Sequence, residues 1–413
     1  MIDLHVDSDR LWNSLMAMAR IGATPAGGSG RLALTDLDKE ARDLFVVWCR
    51  EAGCKVRIDR MGNVFARRAG ADDTLAPVMT GSHLDTQPLG GKFDGVYGVL
   101  AGLEVVRALN DAGVETKAPI DVVVWTDEEG VRFAASMVAS GVFAGKYDLD
   151  YGLSCAAADG KTVGGELERI GYAGAEPVGG YPVAAYFEAH IEQGPILESE
   201  GKAVGVVLGG QGQRCFMVTV EGDEGHAGTM PMDRRRDALL GAARMIEAVN
   251  GVALRHQPQT VTTVGALRVR PNSRNTICGR AVFSIDCRHP DNDALAAVAD
   301  DIRRACEEIA AAAGLGLDIE QTSQRSTVEF DGGCIAAIRS AAERLGIAHR
   351  DIYSAAGHDA CNLAACSPTG MIFVPCEKGI SHNEAENAKP EDLAAGCDVL
   401  LQVVLERAGI HGA

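Results

Sequence analysis

The chain has 413 residues, of which 46% are hydrophobic and 23% charged, and this length and composition are typical of a globular protein with two domains. Its formal net charge of −18 argues against nucleic-acid and anionic-membrane partners, because both require a basic surface. No apolar run reaches the length of a transmembrane helix, and the N-terminal stretch lacks the features of a signal peptide. The twelve cysteines form no CxxC pair, which is typical of reduced thiols and indicates a cytoplasmic protein.

Apolar spacing in the first half of the chain predicts helices and strands that alternate, as they do in an α/β domain. The centre of this half is a βαβ unit whose first strand leads into the motif GSHLDT at residues 81–86. The predicted elements are helices at 8–20, 36–52 and 96–112 and strands at 55–59, 63–67, 76–80, 120–125 and 183–188.

The pattern changes at about Gly209, where strands and helices in a β-α-β-β-α-like order indicate a separate, smaller α+β domain. We expect this domain to span residues 209–323 and to be inserted into a main domain formed by residues 1–208 and 324–413. The main domain is expected to be an α/β fold with a mixed sheet flanked by helices. The predicted elements of the insertion are strands at 214–221, 259–269 and 277–287 with helices at 236–250 and 293–313, and those that close the main domain are a helix at 334–345, a strand at 370–374 and a helix at 390–408.

Residues of metal-ligand type, histidine and carboxylate, are concentrated in five stretches, most of them at the ends of predicted strands. Any one stretch has an ordinary explanation as a helix cap, a surface ion pair or a structural histidine. Ligands in open α/β sheets collect at the carboxyl ends of the strands, so the five stretches together predict a metal site. They contain His83 with Asp94, Glu128 with Glu129, His190 with Glu192, His358 with Asp359, and His382.

Eight longer motifs resemble those of the metal-dependent amidohydrolase branch of the M20 peptidase family. They are GSHLDT, GKFDG, DEEG followed by RF, AHIEQGP, GHAGTMPMDRRRDA, PNSRNT through to DCRHP, AGHDA and GISHNEAE. Within that branch the sequence is most similar to N-carbamoyl-L-amino-acid amidohydrolases and β-ureidopropionases (β-alanine synthases), with allantoate amidohydrolases alongside. The resemblance covers nearly the whole chain and implies two divalent metal ions per subunit, either zinc or else manganese, cobalt or nickel.

The resemblance also implies roles for the clustered residues. Asp94 would bridge the two ions, and Glu128 would be the general base that takes a proton from the attacking water. Asp85 would orient the imidazole of His83 through its other nitrogen, although a loop cap is an ordinary alternative. His83 and His190 would bind one ion each, and Glu129 and His382 would complete the ligand set.

Substrate-binding residues are implied mainly in the inserted domain. His226 resembles the family histidine that stabilises the oxyanion, and Asn275 and Arg288 resemble the pair that holds the substrate carboxylate. A salt bridge at a strand end is the ordinary alternative for Arg288. Gln193, in the main domain, resembles a polar contact near the ureido group. The inserted domain would act as a lid and form a homodimer, and it is open whether its residues serve their own active site or the neighbour's.

The reaction implied is hydrolysis of the carbamoyl C–N bond of N-carbamoyl-β-alanine or N-carbamoyl-L-α-amino acids, with release of the amino acid, carbon dioxide and ammonia. The substrate would be a small, carboxylated ureido compound. Allantoate is the alternative, because it also carries a carboxylate and ureido groups. An aminoacylase or peptidase, and a non-catalytic ligand-binding relative, are the remaining hypotheses.

Overall fold

The computed structural model describes residues 4–133 and 135–412, and the chain divides into two compact units. The larger unit comprises the residues up to Leu208 and those from Glu329 onward, and the smaller unit is Gly209–Val328. Each unit encloses its own cluster of buried hydrophobic side chains. In the part of the chain that is described, no helix is both long and apolar enough to cross a membrane.

The part of the larger unit that precedes the smaller unit in the chain contains both helices and strands. They are α1 (Ser8–Met18), α2 (Asp36–Glu51), β1 (Lys55–Ile58), β2 (Val64–Arg68), β3 (Val78–His83), α3 (Val96–Asp111), β4 (Ile120–Trp125), α4 (Val138–Phe143), α5 (Leu149–Ser154), α6 (Val163–Ile170), β5 (Ala185–Ile191), α7 (Ile196–Ser199) and β6 (Val204–Gly210).

The smaller unit follows, and the chain then returns to the larger one. The smaller unit contains β7 (Gly212–Glu221), β8 (Gly225–His226), α8 (Ala238–Arg255), β9 (Val261–Thr263), β10 (Leu267–Arg270), β11 (Thr276–Ile277), β12 (Arg280–His289), α9 (Asn292–Ala313) and β13 (Gly316–Arg325). The C-terminal part of the chain contains β14 (Val328–Glu329), α10 (Gly332–Arg344), β15 (His349–Ser354), α11 (Asp359–Leu363), β16 (Thr369–Val374) and α12 (Pro390–Ala408).

The sheet of the larger unit has nine strands, and four neighbouring parallel strands form its centre. The strand order is β1-β2-β4-β3-β5-β16-β6-β14, with β15 paired to β6. β3 is parallel to β4 and β5, and β5 is parallel to β16, whereas β2 and β6 run antiparallel to their neighbours. Residues at the ends of the central strands are in register, His83 with Trp125 and Val374 with Ile191. Four strand ends therefore meet at one edge, where ligands bind in open α/β sheets.

Every residue of the four central strands is buried. Parallel strands are buried in this way when helices cover both faces of the sheet, and their sequences are then apolar without alternation. The helix α3 is buried on most sides too, which agrees with its high content of apolar residues. These elements form a rigid base for the loops that follow the strands.

The smaller unit is an antiparallel sheet with two packed helices. Its strand order is β10-β12-β7-β13, with β9 paired to β12, and α8 packs against α9. Burial alternates along β12, so one face of the sheet is covered and the other is more exposed. The buried side chains include Val218, Met245, Phe283 and Val298.

The predicted fold class is confirmed, since the chain is a mixed α/β protein with a mixed sheet flanked by helices. Several elements differ in extent from the sequence prediction. The single strand predicted at 259–269 is two short strands, β9 and β10, separated by a break that contains Gly265. The strand β13 was not predicted, because its sequence is largely polar and exposed; it pairs with β7 nearly throughout, and the unit division falls after Val328.

Candidate active site

The carboxylate of Asp94 lies between two groups of metal-ligand atoms. Its Oδ1 is 3.2 Å from Nε2 of His190 and 3.8 Å from Nε2 of His83. Its Oδ2 is 3.3 Å from Nε2 of His382, which in turn lies 3.6 Å from Oε2 of Glu129. Within each group the ligand atoms all lie within 4.8 Å of one another. Asp94 is therefore shared by two adjacent groups, each of which could hold a metal ion.

The parallel strands explain why these residues meet. His83 is the last residue of β3 and His190 lies near the end of β5, while Glu129 and His382 follow β4 and β16. All four strand ends lie at the same edge of the sheet. The resemblance assigned His83 and His190 to different ions, whereas the structure groups both of them with the same oxygen of Asp94.

A glycine next to Asp94 allows the loop to approach the first histidine. Gly95 has a φ of 68°, which is a left-handed backbone conformation that favours glycine. A Cβ atom at this position would lie 2.3 Å from ring atoms of His83. Any side chain here would therefore displace the imidazole, so the sequence Asp94-Gly95 is required for the close packing.

Main-chain carbonyls set the tautomers of the two buried histidines. Nδ1 of His83 lies 2.8 Å from the carbonyl oxygen of Asp85, and Nδ1 of His190 lies 2.9 Å from that of Ile191. A carbonyl oxygen only accepts hydrogen bonds, so Nδ1 carries the hydrogen in both neutral rings and Nε2 can act as a metal ligand. In metal sites the second nitrogen of a ligating histidine is usually held in this way.

The position of Asp85 differs from the predicted contact. Its carboxylate lies 3.9 Å from Nδ1 of His83, so the main-chain carbonyl makes the orienting hydrogen bond instead. The carboxylate faces the main-chain N–H groups of Glu128 and Glu129, at 3.4 and 3.3 Å. Asp85 therefore contacts His83 through its main-chain carbonyl and the main chain of Glu128 and Glu129 through its carboxylate.

Electrostatics favour a cation at Asp94. Burial by itself raises the pKa of this carboxyl, but hydrogen bonds to His190 and His382 and the charges of His190 and His83 outweigh it and hold the pKa well below the usual range. Burial likewise lowers the pKa of His190, and Asp94 more than compensates, so that the pKa rises to about 9. Positive charge is thus stabilised between the imidazole and the carboxylate, at the place where a metal ion would replace a proton.

Glu128 lies beside the first group and is buried, with Oε2 3.6 Å from Nε2 of His83. Burial raises the pKa of this carboxyl well above its usual range, and the negative charges of Asp359 and Glu129 raise it further. A carboxyl group in such an environment takes up a proton readily and can return it, which is the property of a general acid–base catalyst.

Three side chains that touch Asp94 form a hydrogen-bonded chain. The amide of Gln193 donates to Oδ2 of Asp94 at 2.9 Å and to Oγ of Ser381 at 3.0 Å. Ser381 Oγ is 3.1 Å from Oδ2 of Asp94 and 3.1 Å from Oε2 of Glu386. The sequence analysis did not identify Ser381 or Glu386 as site residues. Both lie in the motif GISHNEAE together with His382, and this proximity is the one signal that could have indicated them.

Three non-glycine residues around the site have left-handed backbone conformations. The φ angles are 55° for Asp127, 57° for Gln193 and 52° for His382. Such conformations each cost on the order of 1 kcal/mol or more and occur preferentially at functional sites. Their occurrence in the segments that follow three of the four central strands is consistent with a site that holds ligands in a defined geometry.

His226 and Asn275 are neighbours in the smaller unit. The short strands β8 and β11 pair His226 with Thr276, and the N–H of Ala227 donates to the main-chain oxygen of Asn275 at 2.9 Å. His226 is exposed, and its Nδ1 accepts a hydrogen bond from the N–H of Gly228 at 3.0 Å. The neutral ring then carries its hydrogen on Nε2, which could donate to an oxyanion.

Arg288 forms the strand-end salt bridge that was its ordinary alternative. Its Nε and Nη2 donate to the two oxygens of Asp286 at 3.0 and 2.8 Å, and Gln213 donates to the same carboxylate at 2.7 Å. This bidentate contact fixes the plane of the guanidinium group. A fixed guanidinium is also the geometry required to bind a substrate carboxylate, so the salt bridge and the predicted role are compatible.

The structure does not bring Arg288 close to the other two substrate-binding candidates of the smaller unit. His226 and Asn275 adjoin the end of the sheet where β12 begins, at Arg280. Arg288 lies eight residues further along the same strand, which at a rise of about 3.3 Å per residue corresponds to about 26 Å. Arg288 therefore lies near the end of β12, whereas His226 and Asn275 lie at the separate β8–β11 pair, beyond the residue where β12 begins.

The residues around Asp94 fit a metal centre. Imidazole nitrogen and carboxylate oxygen are the donors that zinc and neighbouring divalent metals bind in proteins. Among the described residues, Oε1 of Glu129 is buried and has no hydrogen-bond partner, as expected of an oxygen that a metal ion would satisfy.

The sequence profile of peptidase family M20/M25/M40 matches residues 79–406. The chain belongs to this family. The resemblance seen in the sequence motifs is thereby confirmed, and the chain is a member of a family of hydrolases. The alignment includes all the residues that surround Asp94 and those of the smaller unit.

Two curated proteins and one solved structure are similar to this chain over nearly its whole length. An N-carbamoyl-L-amino-acid amidohydrolase of Rhizobium meliloti is 50% identical over 406 residues, which cover 98% of this chain and 98% of that protein. The crystal structure of a hydantoinase/carbamoylase family amidase from Burkholderia multivorans is 59% identical, covers 98% of this chain and 99% of its own, and has a TM-score of 0.96. A ureidoglycolate hydrolase of Oryza sativa subsp. japonica is 35% identical, over 96% of this chain and 84% of that protein.

Proposed function

We propose that this protein hydrolyses the carbamoyl C–N bond of N-carbamoyl amino acids. The observation that carries the proposal is the carboxylate of Asp94 shared by two ligand groups, with the buried carboxyl of Glu128 beside them. The 50% identity to an N-carbamoyl-L-amino-acid amidohydrolase supports the choice of substrate. The overall reaction converts one N-carbamoyl amino acid and one water into the amino acid, carbon dioxide and ammonia.

We propose that the site binds two divalent ions, zinc or one of manganese, cobalt and nickel. His83 and His190 would hold one ion and Glu129 and His382 the other, with Asp94 between them. The grouping of ligand atoms supports this division. When bound, the ions supply Lewis-acid polarisation of the carbamoyl group and acidify the attacking water.

Glu128 is the proposed general base and acid. It accepts a proton from the attacking water and delivers that proton to the departing nitrogen, so it ends each cycle as it began. Its raised pKa supports both halves of this task. His226 would donate a hydrogen bond to the oxygen that becomes negative, and Asn275 and Arg288 would bind the substrate carboxylate. Gln193 would contact the ureido group; its Oε1 has no hydrogen-bond partner among the described residues.

The active form is proposed to be a homodimer. One substrate of this size cannot contact His226, Asn275 and Arg288 of one chain, because about 26 Å of strand separates the first two from the third. In a two-fold symmetric dimer, residues beyond the two ends of β12 can serve different active sites. Each substrate would then contact Arg288 from one chain and His226 from the other.

Mixed dimers test this arrangement. His226→Ala and Arg288→Ala homodimers should both have low activity. After subunit exchange, half of the dimers are mixed, and each mixed dimer has one intact site of two, so about a quarter of the wild-type rate should return. Failure of the mixture to regain activity, with exchange shown by a mass tag, would mean that both residues of a site come from the same chain.

The substrate is tested by ammonia release from N-carbamoyl-β-alanine, several N-carbamoyl-L-amino acids, allantoate and ureidoglycolate. Each substrate is assayed with chelator-treated protein and after zinc, manganese, cobalt or nickel is restored. We expect metal-dependent turnover of one or more N-carbamoyl amino acids. Turnover of allantoate or ureidoglycolate alone would contradict the proposed substrate and retain the metal centre. Metal binding without turnover of any of these compounds would favour a non-catalytic relative.

A further inference from the structure

The segment that carries His382 also brings a buried carboxylate, Glu386, to the loop of Asp94. Oε1 of Glu386 accepts hydrogen bonds from the main-chain N–H groups of Phe93 and Asp94, at 2.8 and 3.2 Å. Its Oε2 lies 3.1 Å from the hydroxyl of Ser381. Only 1% of Glu386 is exposed, so these contacts replace water as its hydrogen-bond partners.

The loop before Asp94 is shaped to receive this carboxylate. A Cβ atom at Gly91 would lie 1.9 to 2.3 Å from the carboxyl atoms of Glu386. No other residue type could occupy that position without moving the glutamate or the loop. The motif GKFDG and the motif GISHNEAE therefore make a close contact through Gly91 and Glu386, although they are nearly three hundred positions apart.

A second connection leads from Glu386 to the carboxylate of Asp94. The two amide hydrogens of Gln193 are directed at Oδ2 of Asp94 and at Oγ of Ser381. Ser381 has a single hydroxyl hydrogen, and two carboxylate oxygens lie 3.1 Å from its oxygen, one from Asp94 and one from Glu386. The hydroxyl thus links the two carboxylates, whichever of them accepts its hydrogen.

We propose that Glu386 is a positioning residue that fixes the main chain and the carboxylate plane of Asp94, and so determines how the two ligand groups share that carboxylate. It holds the main chain through the N–H groups of Phe93 and Asp94 and holds Oδ2 through Ser381. This inference rests on the proposed function, since it takes Asp94 as a metal ligand. In this role Glu386 acts through the loop of Asp94 and through Ser381 and not as a ligand itself.

The experiment compares Glu386→Ala and Glu386→Gln with the same substitutions at Glu104. Glu104 is a matched control because it is also a glutamate with 1% exposure that accepts a main-chain hydrogen bond, from Asp7, and it lies in α3 where it pairs with Arg10. Metal content is measured after dialysis, and the affinity for Zn²⁺ and for Mn²⁺ is measured by competition with a chromogenic chelator. Melting temperature, kcat and KM are recorded for each variant.

Glu386→Ala should reduce metal affinity by about ten- to a hundredfold, the range found when residues that support metal ligands are removed. Glu386→Gln retains one carbonyl oxygen that can accept both N–H groups, so its loss should be smaller than that of Glu386→Ala. Glu104→Ala should lower the melting temperature and leave metal affinity and kcat unchanged. A folded Glu386→Ala protein with wild-type metal affinity and metal content would overturn the inference.

Ser381→Ala provides a second test if Glu386→Ala does not fold. It removes the link to Oδ2 and leaves the hydrogen bonds to the main chain in place. We expect a measurable loss of metal affinity, and unchanged affinity in both Ser381→Ala and Glu386→Gln would overturn the inference. Because affinity is measured without substrate, a positioning effect in a protein that hydrolyses no carbamoyl compound would support the role of Glu386 and contradict only the proposed substrate.

Discussion

Replacement of Glu128 by glutamine separates proton transfer from metal binding. The side chains have nearly the same shape, but an amide cannot accept the proton of the attacking water. General acid–base groups contribute about a hundredfold to ten-thousandfold to rates, so kcat should fall by a factor in that range. Burial, and then the negative charges of neighbouring carboxyls such as Asp359 and Glu129, raise the pKa of Glu128, and an uncharged amide avoids both costs. The melting temperature should therefore remain the same or increase.

The assay measures ammonia release, metal content and thermal unfolding on the same preparations. Glu104→Gln is the matched control, because it replaces another buried glutamate whose partner is Arg10 rather than a residue of the site. The control should lose stability and keep its kcat. A Glu128→Gln protein with full metal content and more than about a tenth of the wild-type kcat would refute the role of Glu128 as general base. Loss of metal in this variant would indicate that Glu128 is a ligand instead.

Three further predictions concern the ligands and the carboxylate contact. Asp94→Asn should abolish binding of at least one metal ion per chain by elemental analysis, because an amide bridges two cations poorly; full content would contradict the shared-ligand arrangement. Arg288→Lys should raise KM for carboxylated substrates about tenfold with a smaller effect on kcat, since lysine cannot make a bidentate contact, and an unchanged KM would exclude that contact. A metal ion must displace the proton of His190, whose pKa is raised to about 9, so metal affinity should rise with pH up to that value, by up to about tenfold per pH unit. Titrations of metal-free protein measure this, and a metal affinity independent of pH would contradict the reasoning.

Parts of the fold were predicted closely because their signals are local. The strand at 120–125 and the helix at 390–408 have the same bounds in the structure as in the prediction. An apolar run with a polar end marks the strand, and a proline marks the start of the helix, so each signal lies within a few adjacent residues. The strand β13 was missed because its local signal is weak. Only Leu317 and Ile319 of its ten residues pack against the core, the rest of its sequence is mostly polar, and its pairing with β7 makes it a strand.

The sequence by itself determined the family, the element types and the set of chemically suitable residues, because motifs and hydrophobic periodicity are properties of adjacent positions. Which atoms meet was decided by the order of strands in the sheet. That order places Asp94 between His190 and His382 and brings in Glu386 from 292 positions away. No local pattern encodes these contacts, because each depends on packing between segments that are distant in the chain.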